Sequence, residues 1–143
     1  MDRSAKYVEM CGQAPEIQAM WGQRGGDFYA EESDQIRCCP ADGWLTTVFV
    51  NGQWHRTDDN PVHMAACVWL PRHDQLMEMA QVPGRTFADR AQDFFDWIKR
   101  PEPGGATPRS RFDTLEKIWL AFVMRHRFGK FWSGSRWVAT IMA

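Results

Sequence analysis

The side chains best placed to do chemistry lie in Arg125-His-Arg-Phe-Gly-Lys-Phe-Trp132, where cations alternate with rings, and in Arg136 just beyond. Guanidinium and ammonium groups track phosphates while exposed rings stack on bases, so Arg125, Arg127, Lys130, Trp132 and Arg136 form a candidate contact for single-stranded nucleic acid. The same composition suits a packed helix end, with Phe128, Phe131 and Trp132 turned into a core and the cations left in water. Arg125, Arg127 and Lys130 also complement the negative end of a helix dipole, which needs no ligand.

The remaining reactive residues lack an anchoring pattern. Cys38-Cys39 with Cys67 and His55 or His63 would supply soft ligands for zinc, yet adjacent cysteines do not have the Cys-x₂₋₄-Cys spacing that aims two thiolates at one ion. Alternation along a strand sends them to opposite faces, so the cysteines read as buried, unreactive thiols. His73 and Asp74, with Glu78 one turn later, could be drawn as an acid/base cluster, but His73 has no orienting partner and Asp74 fits dipole compensation at a helix start. No Cys-His nucleophile pair is anchored either. We therefore assign no catalytic residue, no metal and no cofactor; a small hydrolase or metal enzyme is the alternative without a motif behind it.

Charge is unevenly spread. Residues 1–98 carry 8 Lys/Arg and 15 Asp/Glu and residues 99–143 carry 9 and 3, so a formal net charge of −1 conceals parts of about −7 and +6. Such a split can steer a polyanion, hold two parts of one fold together, or order contacts between subunits. Eight Trp and nine Phe against two Tyr make large rings the main packing material, sited in or beside periodic segments as core. The four cysteines and a polar start, Met-Asp-Arg-Ser-Ala-Lys-Tyr, predict a cytoplasmic protein, and no stretch approaches the length of a spanning helix.

Periodicity supplies the elements. Tyr7, Met10, Cys11, Ala14, Ile17, Met20 and Trp21 recur at helical steps, interrupted by Pro15, which predicts a kink or two short helices with Pro15 in the first turn of the second. Short strands follow at Asp27 to Ala30 and Gln35 to Cys39, with Glu31 to Asp34 as their turn. Asn51-Gly52, between Leu45 to Val50 and Gln53 to Arg56, predicts a type I′ hairpin. After the loop Thr57 to Pro61, Ala65 to Leu70 reads as a buried strand ended by Pro71, and a helix follows to Gln81.

Thr86, with Asp89 three residues later, caps an amphipathic helix to about Lys99. Arg100 to Pro108, with three Pro and two Gly, reads as a linker or mobile loop. The spacing then predicts a helix capped by Ser110, with Phe112, Leu115, Trp119, Phe122 and His126 as one stripe, Ile118 and Val123 flanking it, and Gly129 as its stop. Trp137 to Met142 can add a final strand.

Several segments also resemble a group of small phage and prophage proteins of unknown function. They are Lys6-Tyr7-Val8 to Glu16-Ile17-Gln18, Gly26-Asp27-Phe28, Trp69-Leu70-Pro71-Arg72-His73-Asp74-Gln75-Leu76, and Thr114-Leu115-Glu116 through Trp119 to Met124 with Gly129-Lys130 and Trp132. The similarity is patchy over most of the length, departs at Pro15 and at the Arg100 to Pro108 insert, and implies a viral or prophage origin without an activity. The expectation is one α+β domain over residues 1–143: an N-terminal helix, a small mostly antiparallel sheet with a hairpin, and two or three C-terminal helices packed on it. The preferred function is a non-enzymatic binding or interaction module; the partner is open between a second copy, a phage or host protein and nucleic acid, and no membrane is implied.

Overall fold

A serine hydroxyl opens the first helix: Ser4 Oγ accepts the Tyr7 amide at 3.2 Å, satisfying a donor that has no partner within the helix. The computed structural model describes residues 1–31, 35–39, 46–57 and 64–140. α1 (Ala5–Gly12) is followed by α2 (Pro15–Gln18), and Pro15 stands in the first turn of α2, where its missing N–H leaves nothing unsatisfied. The split expected at Pro15 is present. Tyr7, Met10, Cys11, Ala14 and Ile17 are fully buried.

Five strands follow, β1 (Phe28–Glu31), β2 (Ile36–Cys38), β3 (Thr46–Val50), β4 (Gln53–Thr57) and β5 (Met64–Leu70), in the order β2-β1-β5-β4-β3 with every pairing antiparallel. Asn51 (φ 52°) and Gly52 (φ 77°) form the positive-φ corner between β3 and β4 that the Asn-Gly pair predicts. Of the sequence expectations, the turn at 32–34, Leu45 at the start of the hairpin, the loop at 58–61, His63 and the end of the last strand at 141–142 lie outside the described residues.

The register pairs Tyr29 with Trp69, Phe49 with Trp54 and Trp54 with Cys67, so Tyr29, Phe49, Trp54 and Trp69 share one face of the sheet. Trp21 packs on three of them, its ring 5.4 Å from Trp54, 6.1 Å from Trp69 and 6.3 Å from Tyr29. The indole N–H of Trp21 donates to buried Asp27 at 3.0 Å, which fixes the ring after the helix has ended. At the Trp69 backbone, beyond the last β4 pairing, the Gln18 amide substitutes for a strand: its oxygen accepts the Trp69 N–H at 2.8 Å and its nitrogen donates to the Trp69 carbonyl at 2.9 Å.

By contact density the chain divides into two compact units, residues 3–71 as just described, and residues 72–143 with Met1 and Asp2. The second holds α3 (His73–Met79), α4 (Phe87–Trp97), α5 (Pro108–Arg111), α6 (Leu115–Phe128) and the hairpin β6 (Lys130–Trp132) with β7 (Trp137–Ala139). The fold is α+β, with an N-terminal helix, an antiparallel sheet and C-terminal helices. Thr86 and Asp89 cap α4 reciprocally, at 3.1 and 3.2 Å, as their spacing predicts.

Two expectations are corrected here. α6 does not start from a Ser110 cap: Thr107 caps the short α5, Phe112 is extended (φ −116°, ψ 134°), and Thr114 accepts the Lys117 amide to open α6. Nor does α6 carry a single apolar stripe, because all six residues from Trp119 to Met124 are buried while Leu115 is 54% exposed and His126 is exposed. A helix covered all round packs by rings: Phe94 stacks on Trp119 at 3.9 Å, and Phe122 meets Phe94, Trp97 and Trp119 edge-on at 5.4 to 5.5 Å. Gly129, at φ 65°, ends α6 where expected.

Candidate functional site

The Pro/Gly-rich stretch read as a linker is a closed turn. The Glu102 N–H donates to the Ala106 carbonyl and the Gly105 N–H to the Glu102 carbonyl, both at 2.9 Å, and Gly104 and Gly105 take the positive φ values, 101° and 91°, that this path needs. The turn holds the Glu102 carboxyl under cover, 8% exposed. Arg111, from α5, places Nη1 3.4 Å from Glu102 Oε1, donates through Nη2 to the Trp132 carbonyl, and lays its guanidinium 5.1 Å from the Phe112 ring. Burial pushes the Glu102 pKa above the usual carboxylate range, opposed by the charges of Arg111 and Arg125.

This arrangement borders a groove of about 430 Å³, walled by Pro103, Gly104 and Ala106 of the turn and by Phe131, Trp132 and Ser133 of the hairpin, together with Arg111. Its size falls in the range of ligand clefts, about 300–1,000 Å³. Two parts of the chain singled out on composition, the Pro/Gly stretch and the basic-aromatic segment, therefore meet. Glu102 and Arg111 were not among the sequence candidates. One signal for Glu102 was present: it is the sole acidic residue between Lys99 and Phe112, in the basic part of the chain.

The five predicted nucleic-acid residues do not form one open surface. Trp132 is 3% exposed, its ring 5.1 Å from that of Trp137, so it offers little face for a base to stack on. Arg127 donates to the Met79 carbonyl at 3.0 Å. Arg125 is half-buried, its charge acting on Glu102 and His126, Lys130 is half-buried on β6, and Arg136 is exposed in the β6 to β7 turn. His126 rests its ring on Phe122 at 4.1 Å; covering of the ring lowers its pKa against the pull of the Phe122 carbonyl, and Arg90 and Arg125 lower it further. No match to this chain is found among protein-family models, curated proteins or solved structures.

The groove lacks a nucleophile with a base. Its hydroxyl, Ser133 Oγ, donates to the Arg136 carbonyl at 3.1 Å and accepts from the Arg136 amide, holding the turn. Away from the groove, His73 is exposed on α3 and Asp74 pairs with Arg72 at 3.2 Å, so the imagined acid/base cluster is not assembled. Among the described residues no group of three or more His, Cys, Asp or Glu could hold a metal ion.

The cysteines correct one expectation: Cys38 is exposed, whereas Cys11, Cys39 and Cys67 are buried. Burial, then the charges of Asp27 and Cys38, push the Cys39 thiol up to about 11. Iodoacetamide at about pH 8 is therefore expected to label Cys38 and spare Cys39 until the chain is unfolded, since only a thiolate attacks. Mass spectrometry of the digested protein reads this directly, and equal labelling of the two in the folded chain would contradict the burial of Cys39.

Proposed function

We propose that this chain is a non-enzymatic binding module of phage or prophage origin, acting in the cytoplasm, whose groove between the 101–107 turn and β6 takes an extended polypeptide segment. The observation that carries the reading is the fixed guanidinium of Arg111 beside apolar walls. Two of its N–H groups are spent on Glu102 and Trp132. A guanidinium has five, so others remain for a main-chain carbonyl or carboxylate. Phe131, Pro103 and Ala106 supply the apolar contact that such clefts use for affinity. The origin rests on the Trp69 to Leu76 and α6 resemblances, and the compartment on the free thiols.

Nucleic acid is the second reading. It draws on Arg125, Lys130 and Arg136, and is weakened by the buried Trp132 and by the bond from Arg127 to Met79. Two probes separate them: a hexapeptide alternating proline with leucine and ending in a free carboxylate, and an oligothymidylate. Titration of the labelled protein followed by NMR is expected to give saturable shifts at residues 103–106, 131 and 133 with the peptide, weakened at least tenfold by Phe131→Ser or Arg111→Ala. The peptide reading fails if the peptide moves none of these resonances. Salt-sensitive retention of the oligothymidylate, abolished by Arg125→Ala with Lys130→Ala, would replace it with the nucleic-acid reading.

A further inference from the structure

Arg111 serves two neighbours at once. It lines the groove between the 101–107 turn and β6, and its Nη1 stands 3.4 Å from Glu102 Oε1. The Arg111 side chain is 19% exposed and that of Glu102 5%, so a ligand in the groove meets the guanidinium and not the carboxyl. The bond from Nη2 to the Trp132 carbonyl holds the guanidinium in this place. The other two carboxylates of residues 99–143 are committed elsewhere, Asp113 to Lys117 at 2.6 Å and Glu116 to the Asp2 amide at 3.2 Å.

One cation beside one buried anion leaves this wall of the groove close to neutral, which suits a main-chain carbonyl. A ligand carboxylate brings a second negative charge to the same guanidinium. Two carboxylates on one cation repel, and the buried one gives way at the lower cost by taking a proton, because burial disfavours its charged form. Burial already raises the Glu102 pKa above the ordinary carboxylate value, with the charges of Arg111 from α5 and Arg125 from α6 pulling the other way.

We infer that the groove takes up a ligand carboxylate together with one proton, and that Glu102 is the residue that receives the proton. The inference rests on the peptide-binding reading of the groove and adds which chain end it selects: a neutral one at neutral pH, a carboxylate on acidification. The proton comes from solvent and goes to a Glu102 carboxyl oxygen. Protonated Glu102 leaves the full charge of Arg111 to the ligand, so carboxylate affinity rises as pH falls through the Glu102 titration. By reciprocity a bound carboxylate raises the Glu102 pKa.

The probe is the hexapeptide alternating proline with leucine, N-acetylated, as the free acid and as the C-terminal amide. Each is titrated calorimetrically into the full chain at steps from about pH 7.5 to about pH 4.5, a span that starts above a raised carboxyl pKa and ends near the ordinary glutamate value. The free acid is expected to bind about tenfold more tightly at the acid end, the size of an interaction between partly buried charges, while the amide binds alike throughout. At mid-range its heat should depend on the ionisation enthalpy of the buffer, which reports net proton uptake on the parent chain. Glu102→Gln keeps the volume and an oxygen for Arg111 without the charge. It should bind the free acid as tightly at the alkaline end as the parent does at the acid end, with no pH dependence left. The variant also separates Glu102 from His126, the other group near Arg125 that gains a proton on acidification. Equal pH profiles for acid and amide, binding without proton uptake, or a Glu102→Gln profile as steep as the parent's would each overturn the inference and leave the groove reading standing. Binding of neither peptide would end both.

Discussion

Replacement of Gln18 by leucine is expected to lower the unfolding free energy by about 3–5 kcal/mol, as an orphaned buried polar group costs about 1–3 kcal/mol and this substitution creates at least two. The Gln18 side chain, 2% exposed, accepts the Trp69 N–H at 2.8 Å, donates to the Trp69 carbonyl at 2.9 Å and reaches the Cys11 carbonyl at 3.2 Å. Leucine fills the space but meets none of these groups, and no pairing with β4 is present at Trp69 to replace them. Gln18→Glu separates hydrogen bonding from volume. It keeps an acceptor for the Trp69 amide, yet it turns the donor into an acceptor facing two carbonyls and brings a carboxyl into the core, so it too should destabilise. Urea unfolding followed by tryptophan fluorescence measures both, because Trp21, Trp54 and Trp69 surround the site. A leucine variant within about 1 kcal/mol of the parent would mean the amide does not complete the strand, given the cost of even one orphaned group.

Phe122→Ala is the second large change, with an expected loss of about 3–5 kcal/mol, the usual range for a fully buried phenylalanine. Phe122 is 0% exposed, meets Phe94, Trp97, Trp119 and His126, and has the Arg90 guanidinium 5.1 Å from its ring. Its neighbours cannot close the gap freely. Phe94 and Trp119 are held by their own stack, and the Arg90 Nε donates to the Ala80 carbonyl at 2.6 Å. The vacated space therefore persists as a cavity, which adds to the lost transfer free energy. Phe122→Leu retains much of the volume and should cost less than half as much. Paired urea curves for the two variants test this, and equal losses would show that ring geometry, rather than volume, sets the cost.

Much of the fold was legible because local rules govern it. Pro15 in the first turn of a helix, the Asn51-Gly52 corner, the Thr86 to Asp89 cap and the Gly129 stop each depend on the backbone preferences of residues close in sequence. α6 marks where such rules end. The spacing predicts a stripe, but the helix is buried around Trp119 to Met124, and Leu115 at its N-terminal end stays exposed although its position in the pattern puts it on the core face.

The candidate site lies beyond that boundary for the same reason. The composition alone determined that an acid stands in a Pro/Gly stretch, and that cations and rings alternate near the C-terminal end. Tertiary structure decided that Glu102 and Arg111 pair, that Arg111 reaches the Trp132 carbonyl 21 residues away, and that Trp132 is covered while Phe131 lines a groove. A periodic pattern records which side of an element avoids water. It does not record which distant groups will satisfy a buried charge, because that depends on the three-dimensional arrangement that removes the charge from solvent.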